Sequence, residues 1–266
     1  LAKMYITVDA LQEVDDADQG AQAFSLIEGH SSDQNAEKDT SDLNAAIDSM
    51  ESEGYSVGCF FLNLNTGQGV AYNLDTRIYG ASSFKGIYAA YLSEHLADGK
   101  SGLSSSAISL MDASVRYSDN NAFSNLRNRY DGSGFTDWLE SCGVDSDIAH
   151  DTHFPRYSAR ESALLWFHIY TYLQSDTQAA KHLREIYTQT NLSLIRDVAE
   201  ENAADVTVMN KAGWIASSPR FSGLCDAGLI ECDGTTYLMS VMSSAPDSTG
   251  HREKLTSIIE ELFKLR

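Results

Sequence analysis

The chain has 266 residues, enough for one domain with two lobes or for two small domains. With 42% hydrophobic and 10% aromatic residues it can build a real core, which excludes wholesale disorder. Its 19 Lys and Arg against 38 Asp and Glu leave a net charge of −19, which argues against nucleic acid and anionic membrane surfaces as partners and for a soluble, self-repelling surface, expected on a monomer.

Residues 1–40 are polar and acidic with weak periodicity, and are read as an N-terminal extension of unknown role. Within them Met4-Tyr5-Ile6-Thr7-Val8 suggests a short strand, and residues 29–40 a linker. Residues 42–53 read as a helix capped by Thr40, Ser41 or Asp42 and stopped at Gly54. Two strands follow, over 55–64 and 68–73, around the turn signal Asn65-Thr66-Gly67. From Ser82 to about Asn202 the pattern is mostly helical. A strand is predicted over 206–210, with Lys211-Ala212-Gly213 at its end. Strands over 226–231 and 235–243 then flank Asp233-Gly234. In the last segment Leu255, Ile258, Ile259, Leu262 and Phe263 form one apolar helical stripe. The three prolines, Pro155, Pro219 and Pro246, fall in loops.

This order predicts an α/β (α+β) fold: an antiparallel sheet flanked by N- and C-terminal helices, with an inserted all-helical lobe. Residues 41–266 are taken as the catalytic domain, its sheet lobe about 41–81 and 206–266 and its helical lobe about 82–205. The cleft between the lobes is the expected ligand site. No apolar run is long enough to span a bilayer. The sequence opens on Leu1, so a preceding export signal or anchor is expected to have been removed. The location expected is extracellular, cell-surface or periplasmic. Cys59, Cys142, Cys225 and Cys232 are too few for a disulfide-built scaffold and lack C-x-x-C spacing. Buried free thiols are favoured over one or two bridges, and zinc is not expected. His150-Asp151-Thr152-His153 lacks the H-E-x-x-H pattern and reads as a polar loop; no metal or cofactor is expected.

Three short motifs occur in order: Ser82-Ser83-Phe84-Lys85, Ser118-Asp119-Asn120 and Lys211-Ala212-Gly213. Ser82 and Lys85 stand i, i+3 and so share a helix face. Free backbone N–H groups near the start of that helix favour a developing oxyanion. Lys85 serves as base if burial and a second cation, Lys211, depress its pKa. Chance supplies on the order of one S-x-x-K in such a chain, yet this is the single instance present. Ser83, the rival nucleophile, has no lysine three residues on. Ser118 and Asn120 read either as part of an ordinary N-cap cluster or as a proton relay and a substrate-amide ligand. Gly213 admits a substrate backbone to the strand edge, and Lys211 attracts a carboxylate. The N–H of Trp214 is the expected second oxyanion donor beside that of Ser82. Lys100-Ser101-Gly102 imitates the third motif but precedes the second and reads as a turn.

This set resembles the serine β-lactamase and penicillin-binding protein superfamily, and residues 118–126 are most similar to the class A β-lactamase branch. Asp226-Ala227-Gly228 after the lysine strand fits as well, and the resemblance covers about residues 41–266. It implies the two-lobed β-lactamase/transpeptidase-like fold, with Ser82 as nucleophile, Lys85 as its partner and Ser118 in the relay. It further implies that Asn120, Lys211, Ala212, Gly213 and Trp214 surround the substrate. Three departures stand out. Ala212 occupies the place of a usual Thr or Ser, and Arg220 is the nearest downstream cation that could grip the carboxylate instead. The 36-residue spacing from Ser82 to Ser118 makes the helical lobe look compact. Class A enzymes carry a deacylating Glu in an E-x-x-L-N pattern, but residues 150–160 contain no Glu. Glu161-Ser162-Ala163-Leu164-Leu165 matches only its beginning and reads as a helix start, leaving Glu161 the weak candidate for that base. Two functions are therefore set side by side. One is a serine hydrolase forming an acyl-enzyme with a β-lactam or a D-Ala-terminated peptide; the other is a non-catalytic module binding cell-wall peptides or a protein partner.

Overall fold

Strands apolar on both faces need cover on both sides, and this chain supplies it from two different parts of its sequence. The computed structural model describes residues 6–26, 38–99 and 101–266. Its six-stranded sheet is built from β1 (Gln22–Ser25), β2 (Val57–Asn63), β3 (Gln68–Tyr72), β6 (Thr207–Ala216), β7 (Ser222–Cys232) and β8 (Thr235–Ser243). The spatial order is β1-β3-β2-β8-β7-β6, and every pairing is antiparallel. A separate ribbon pairs β4 (Ile78–Tyr79) with β5 (Arg156–Tyr157).

Side-chain alternation along each strand sorts the apolar residues into two cores. Cys59 and Phe61 of β2, with Met239 and Val241 of β8, face one side. There α2 (Ser41–Glu51), α9 (Leu194–Asn202) and α10 (Thr249–Lys264) bury Leu43, Ile47, Ile195, Leu255, Ile258 and Leu262. Phe60 and Leu62 of β2, with Leu238 and Met242 of β8, face the other side. That side carries α3 (Phe84–Tyr91), α4 (Ser105–Arg116), α5 (Asn120–Tyr130), α6 (Ser133–Ser141), α7 (Ala159–Leu173) and α8 (Gln178–Tyr187). A π-helical turn, Leu92–Ala97, continues α3. The antiparallel sheet, the terminal helices against it and the inserted helical segment agree with the architecture expected from the sequence. At about 25 cal/mol per Å2, burial on both faces is what holds the sheet.

Several local expectations need correction. The strand proposed at residues 4–8 is absent where it can be seen: Met4 and Tyr5 lie outside the described residues, and Val8 opens the helix α1 (Val8–Gln12). The Thr7 hydroxyl accepts from Ala10 N at 3.1 Å, an N-cap that outweighs the β-branched run. Most of the linker at 29–40 lies outside the described residues. The first 40 residues also hold β1, which pairs with β3 as an edge strand and stacks Phe24 on Phe60 at 5.3 Å between ring centroids. The strand predicted over 206–210 runs on to Ala216, because β7 pairs with it from Thr207↔Glu231 to Ala216↔Ser222. Lys211-Ala212-Gly213 therefore lies mid-strand rather than at a strand end.

Candidate active site

The nucleophile turn is fixed before α3 begins. Ala81, Ser82 and Ser83 form a 3-10 turn in which Ala81 has φ +48°, a left-handed conformation that costs a non-glycine residue roughly 1 kcal/mol or more. The surroundings hold it there. Gly80 N donates to Pro155 O at 3.2 Å, and Ser83 Oγ donates to Gly80 O at 2.6 Å. Ser83 Oγ also shares a hydrogen bond with the buried Tyr157 hydroxyl. Ser83 is thus committed to the scaffold, while Ser82 lines the cleft.

Lys85, one turn beyond Ser82 and the second residue of α3, is 1% exposed. Its Nζ lies 2.9 Å from Ser82 Oγ, 2.6 Å from the Ser118 carbonyl oxygen, 2.7 Å from Asn120 Oδ1 and 3.4 Å from Ser118 Oγ. A neutral amine satisfies this shell naturally: two N–H groups donate to the Ser118 carbonyl and Asn120 Oδ1, and the lone pair accepts the Ser82 hydroxyl proton. Burial, and then the neighbouring Lys211 cation, lower the Lys85 pKa to about 7, against a smaller opposing pull from Asp119. Lys211 is fully buried, and its Nζ donates to Ser118 Oγ at 3.1 Å. Burial lowers its pKa to about 8, partly offset by the Asp226 carboxylate.

The second motif divides its labour. Ser118 has φ +59°, which turns its carbonyl and hydroxyl toward the two lysines. Asp119 is the N-cap of α5, accepting from Ala122 N at 2.8 Å, so the capping reading holds for this one residue. Asn120 Oδ1 accepts from Lys85 Nζ, and its Nδ2 has no protein partner among the described residues.

The third motif is placed by glycine. A Cβ on Gly213 would sit 2.3 Å from Ser83 N and 2.4 Å from Ser82 N, so only glycine lets β6 lie against the nucleophile turn. Gly86, which sequence reasoning passed over, does the same for the lysine. A Cβ there would meet Lys211 Cβ at 2.6 Å. Behind β6, the fully buried Asp226 accepts from Asn210 Nδ2 at 2.7 Å and Ile195 N at 3.0 Å. Burial raises its carboxyl to about 6. Asn210 Nδ2 also reaches the carbonyl of Leu192, a residue of the cleft wall, at 3.2 Å.

The cleft encloses about 270 Å3. Ser82, Ser118, Asn120, Gly213 and Trp214 line it, joined by Tyr79, Phe154 and Ile215, which the sequence reasoning had not singled out. Three expected residues stand elsewhere. Ala212 is fully buried opposite Asp226 and does not line the cleft, since strand alternation turns its methyl away from the Lys211 and Gly213 side. Arg220 lies in the 3-10 turn after β6 with its guanidinium over the Phe221 ring, 5.5 Å from the centroid. Glu161 is in the first turn of α7, where it closes a capping box with Ser158 and pairs with Arg77 at 2.9 Å. Both its oxygens are engaged there, and it is not among the cleft residues. The cleft instead presents Phe154, whose ring centroid is 5.5 Å from Lys85 Nζ. The loop carrying Phe154 is tied down by the buried Arg127, which donates to His153 O at 2.8 Å from within a cage of aromatic rings. All four cysteines are free and buried. No helix among the described residues is long and apolar enough to cross a membrane.

Comparisons with known proteins agree with this fold. Residues 101–263 match the family described as the beta-lactamase enzyme family (Beta-lactamase2). No curated protein sequence matches the chain. Among solved structures, PBP-A is similar with a TM-score of 0.67 at 16% identity, over 85% of this chain and 95% of that one. A class A beta-lactamase from Mycobacterium abscessus is similar with a TM-score of 0.64 at 16% identity, over 84% and 98%. A beta-lactamase from Chitinophaga pinensis reaches 0.68 at 19% identity, over 83% and 96%. At these identities the likeness is one of fold.

Proposed function

The chain belongs to the beta-lactamase enzyme family, and from that premise and the site geometry we propose that Ser82 is the nucleophile of a serine hydrolase that opens amide bonds through an acyl-enzyme. The observation that carries this is the Lys85 Nζ to Ser82 Oγ hydrogen bond of 2.9 Å, made by a lysine whose pKa is lowered to about 7. Near neutral pH about half of the Lys85 side chains are then unprotonated and able to act as a base.

Ser82 Oγ attacks the carbonyl carbon while its proton passes to Lys85 Nζ. The oxyanion forms toward the backbone N–H groups of Ser82 and Trp214. The C–N bond then breaks, and the proton travels from Lys85 through Ser118 Oγ to the departing nitrogen. Lys211, 3.1 Å from Ser118 Oγ, steadies that hydroxyl and faces a carboxylate next to the leaving nitrogen. Asn120 Nδ2 donates to the acyl-side amide of the substrate. A β-lactam and a D-Ala-terminated peptide share these features. A point mutant of PBP-A, similar in fold, has been captured as an acyl-enzyme with penicillin G, which supports the same chemistry here.

Release is the slow half of the reaction. Among the described residues no Asp or Glu lines the cleft, and Phe154 covers part of the wall. Water attack on the ester then has no carboxylate base, so penicillins leave a long-lived adduct. The test is intact mass spectrometry after incubation with benzylpenicillin. A stable increment of one penicillin on the wild type, lost in Ser82→Ala, is expected; equal labelling of Ser82→Ala overturns the assignment. Rapid turnover of a chromogenic cephalosporin without accumulation of adduct contradicts slow release.

A further inference from the structure

One group of side chains outside the acyl-transfer centre has the makings of a second recognition element. Strand β6 lines the cleft from Gly213 to Ile215, a span of roughly 7 Å at about 3.4 Å per residue, with the buried Lys211 two residues before it. A substrate whose carboxylate meets Lys211 sends its acyl substituent toward Ile215. Just past that end stand the β4–β5 ribbon, where Tyr79 pairs with Arg156, and the turn Pro219–Phe221.

Tyr79 lines the cleft and meets Phe221 edge-on, with ring centroids 5.5 Å apart. Arg156 lies over Tyr79 at 5.7 Å and Arg220 over Phe221 at 5.5 Å. Arg156 Nη2 donates to the backbone carbonyl of Arg220, joining ribbon and turn. Among the described residues neither guanidinium is in an ion pair. The neighbouring carboxylate, Asp151, accepts the Arg156 backbone N–H at 3.1 Å instead. In a chain of net charge −19, Arg129, Arg196 and Arg266 also stand outside ion pairs among the described residues, but Arg156 and Arg220 are in addition joined to one another beside the cleft. Among the described residues Phe221, at 36% exposed, is one of two large hydrophobic side chains open to solvent. Arginines outside ion pairs over one half-buried and one exposed aromatic ring have the composition of a binding hot spot, and a guanidinium fork matches a carboxylate.

We propose that Arg156 and Arg220 form an anion subsite at the acyl-side mouth of the cleft, selecting acyl donors that carry a second carboxylate on the acyl substituent. This rests on reading the cleft as an acyl-transfer site and names its substrate class.

The experiment compares a penicillin bearing a carboxylate on its acyl side chain with the neutral carboxamide analogue. The second-order acylation constant is measured at low and high salt. On the wild type a preference of about tenfold for the carboxylate is expected at low salt, which corresponds to ~1.4 kcal/mol. Salt should shrink it. In the Arg156→Gln/Arg220→Gln double variant the preference should vanish, with the neutral analogue acylating within about twofold of its wild-type constant. Arg156→Lys and Arg220→Lys, which keep the charge, should retain most of it. Equal constants for the two ligands on the wild type, or a preference that survives in the double variant, overturn the proposal. Calorimetric titration of both ligands into Ser82→Ala separates this outcome from failure of the acyl-transfer mechanism. If no adduct forms on the wild type yet Ser82→Ala binds the carboxylate ligand about tenfold tighter, the subsite stands and the acyl-transfer mechanism falls. Equal affinities there sink the subsite.

Discussion

Lys211→Met removes a buried cation from beside the proposed base and leaves its volume nearly unchanged. Lys85 and Lys211 both reach Ser118 Oγ, at 3.4 and 3.1 Å. Two unit charges about 6 Å apart at an effective dielectric near 20 interact by ~3 kcal/mol, or about two pK units. Burial is the larger cause of the Lys85 depression, and Asp119 opposes both. The variant should therefore raise the Lys85 pKa from about 7 by roughly one to two units. The assay is the limiting rate of Ser82 acylation at saturating penicillin, followed from pH 5.5 to 10. Saturation separates this effect from weakened carboxylate binding. The wild-type rate should rise with pH through a midpoint near 7, because the neutral amine is the reactive form. In Lys211→Met the midpoint should move upward by one to two units, with a rate at pH 7 lower on the order of tenfold that recovers in alkali. An unmoved or lowered midpoint would refute the coupling, and a flat wild-type profile would remove Lys85 from its role as base.

Other perturbations follow from the same contacts. Gly213→Ala puts a methyl against Ser82 N and Ser83 N, so β6 must move off the nucleophile turn; thermal or urea unfolding should show a loss of about 1–3 kcal/mol, and acylation should fall with it. Phe154→Glu introduces a carboxylate into the cleft, and the adduct half-life by time-resolved mass spectrometry should shorten by about an order of magnitude. Asp226 has a carboxyl raised from 3.8 to about 6 by burial. The unfolded chain therefore loses its proton first as pH rises. The stability this group contributes is complete below its unfolded pKa and is lost as pH climbs to about 6. Asp226→Asn lacks that titration, so the variant-minus-wild-type difference in Tm should increase between pH 4 and 6.5; a constant difference would count against it.

Much of this was legible in the sequence, for reasons that particular residues make clear. The stripe Leu255, Ile258, Ile259, Leu262 and Phe263 announces α10 because a surface helix must bury one face, and all five are buried. The Lys85–Ser82 contact is legible because i, i+3 spacing dictates it locally. What escaped was set by tertiary structure. Gln22-Ala23-Phe24-Ser25 carries almost no strand signal, and β1 exists because β3 offers it an edge. The two-residue strands β4 and β5 are likewise made by each other. Gly86 carries no signal of its own within a helical pattern, and the closeness of the Lys211 stem explains it. Phe154 carried no motif at all. Arg220 was near in sequence to the lysine strand, but the turn at Pro219 takes its side chain onto Phe221. Ala212 was counted with its neighbours although strand alternation faces it the other way.

The most direct test of the central claim is to locate the penicilloyl group by peptide mapping and tandem mass spectrometry at pH 8, in the wild type and in Lys85→Ala, Ser83→Ala and Ser82→Ala. Covalent modification confined to Ser82, retained in Ser83→Ala and lost or slowed at least a hundredfold in Lys85→Ala, is the predicted result. Modification of Ser83 or Ser118 in the wild type, or an undiminished rate in Lys85→Ala, would contradict it.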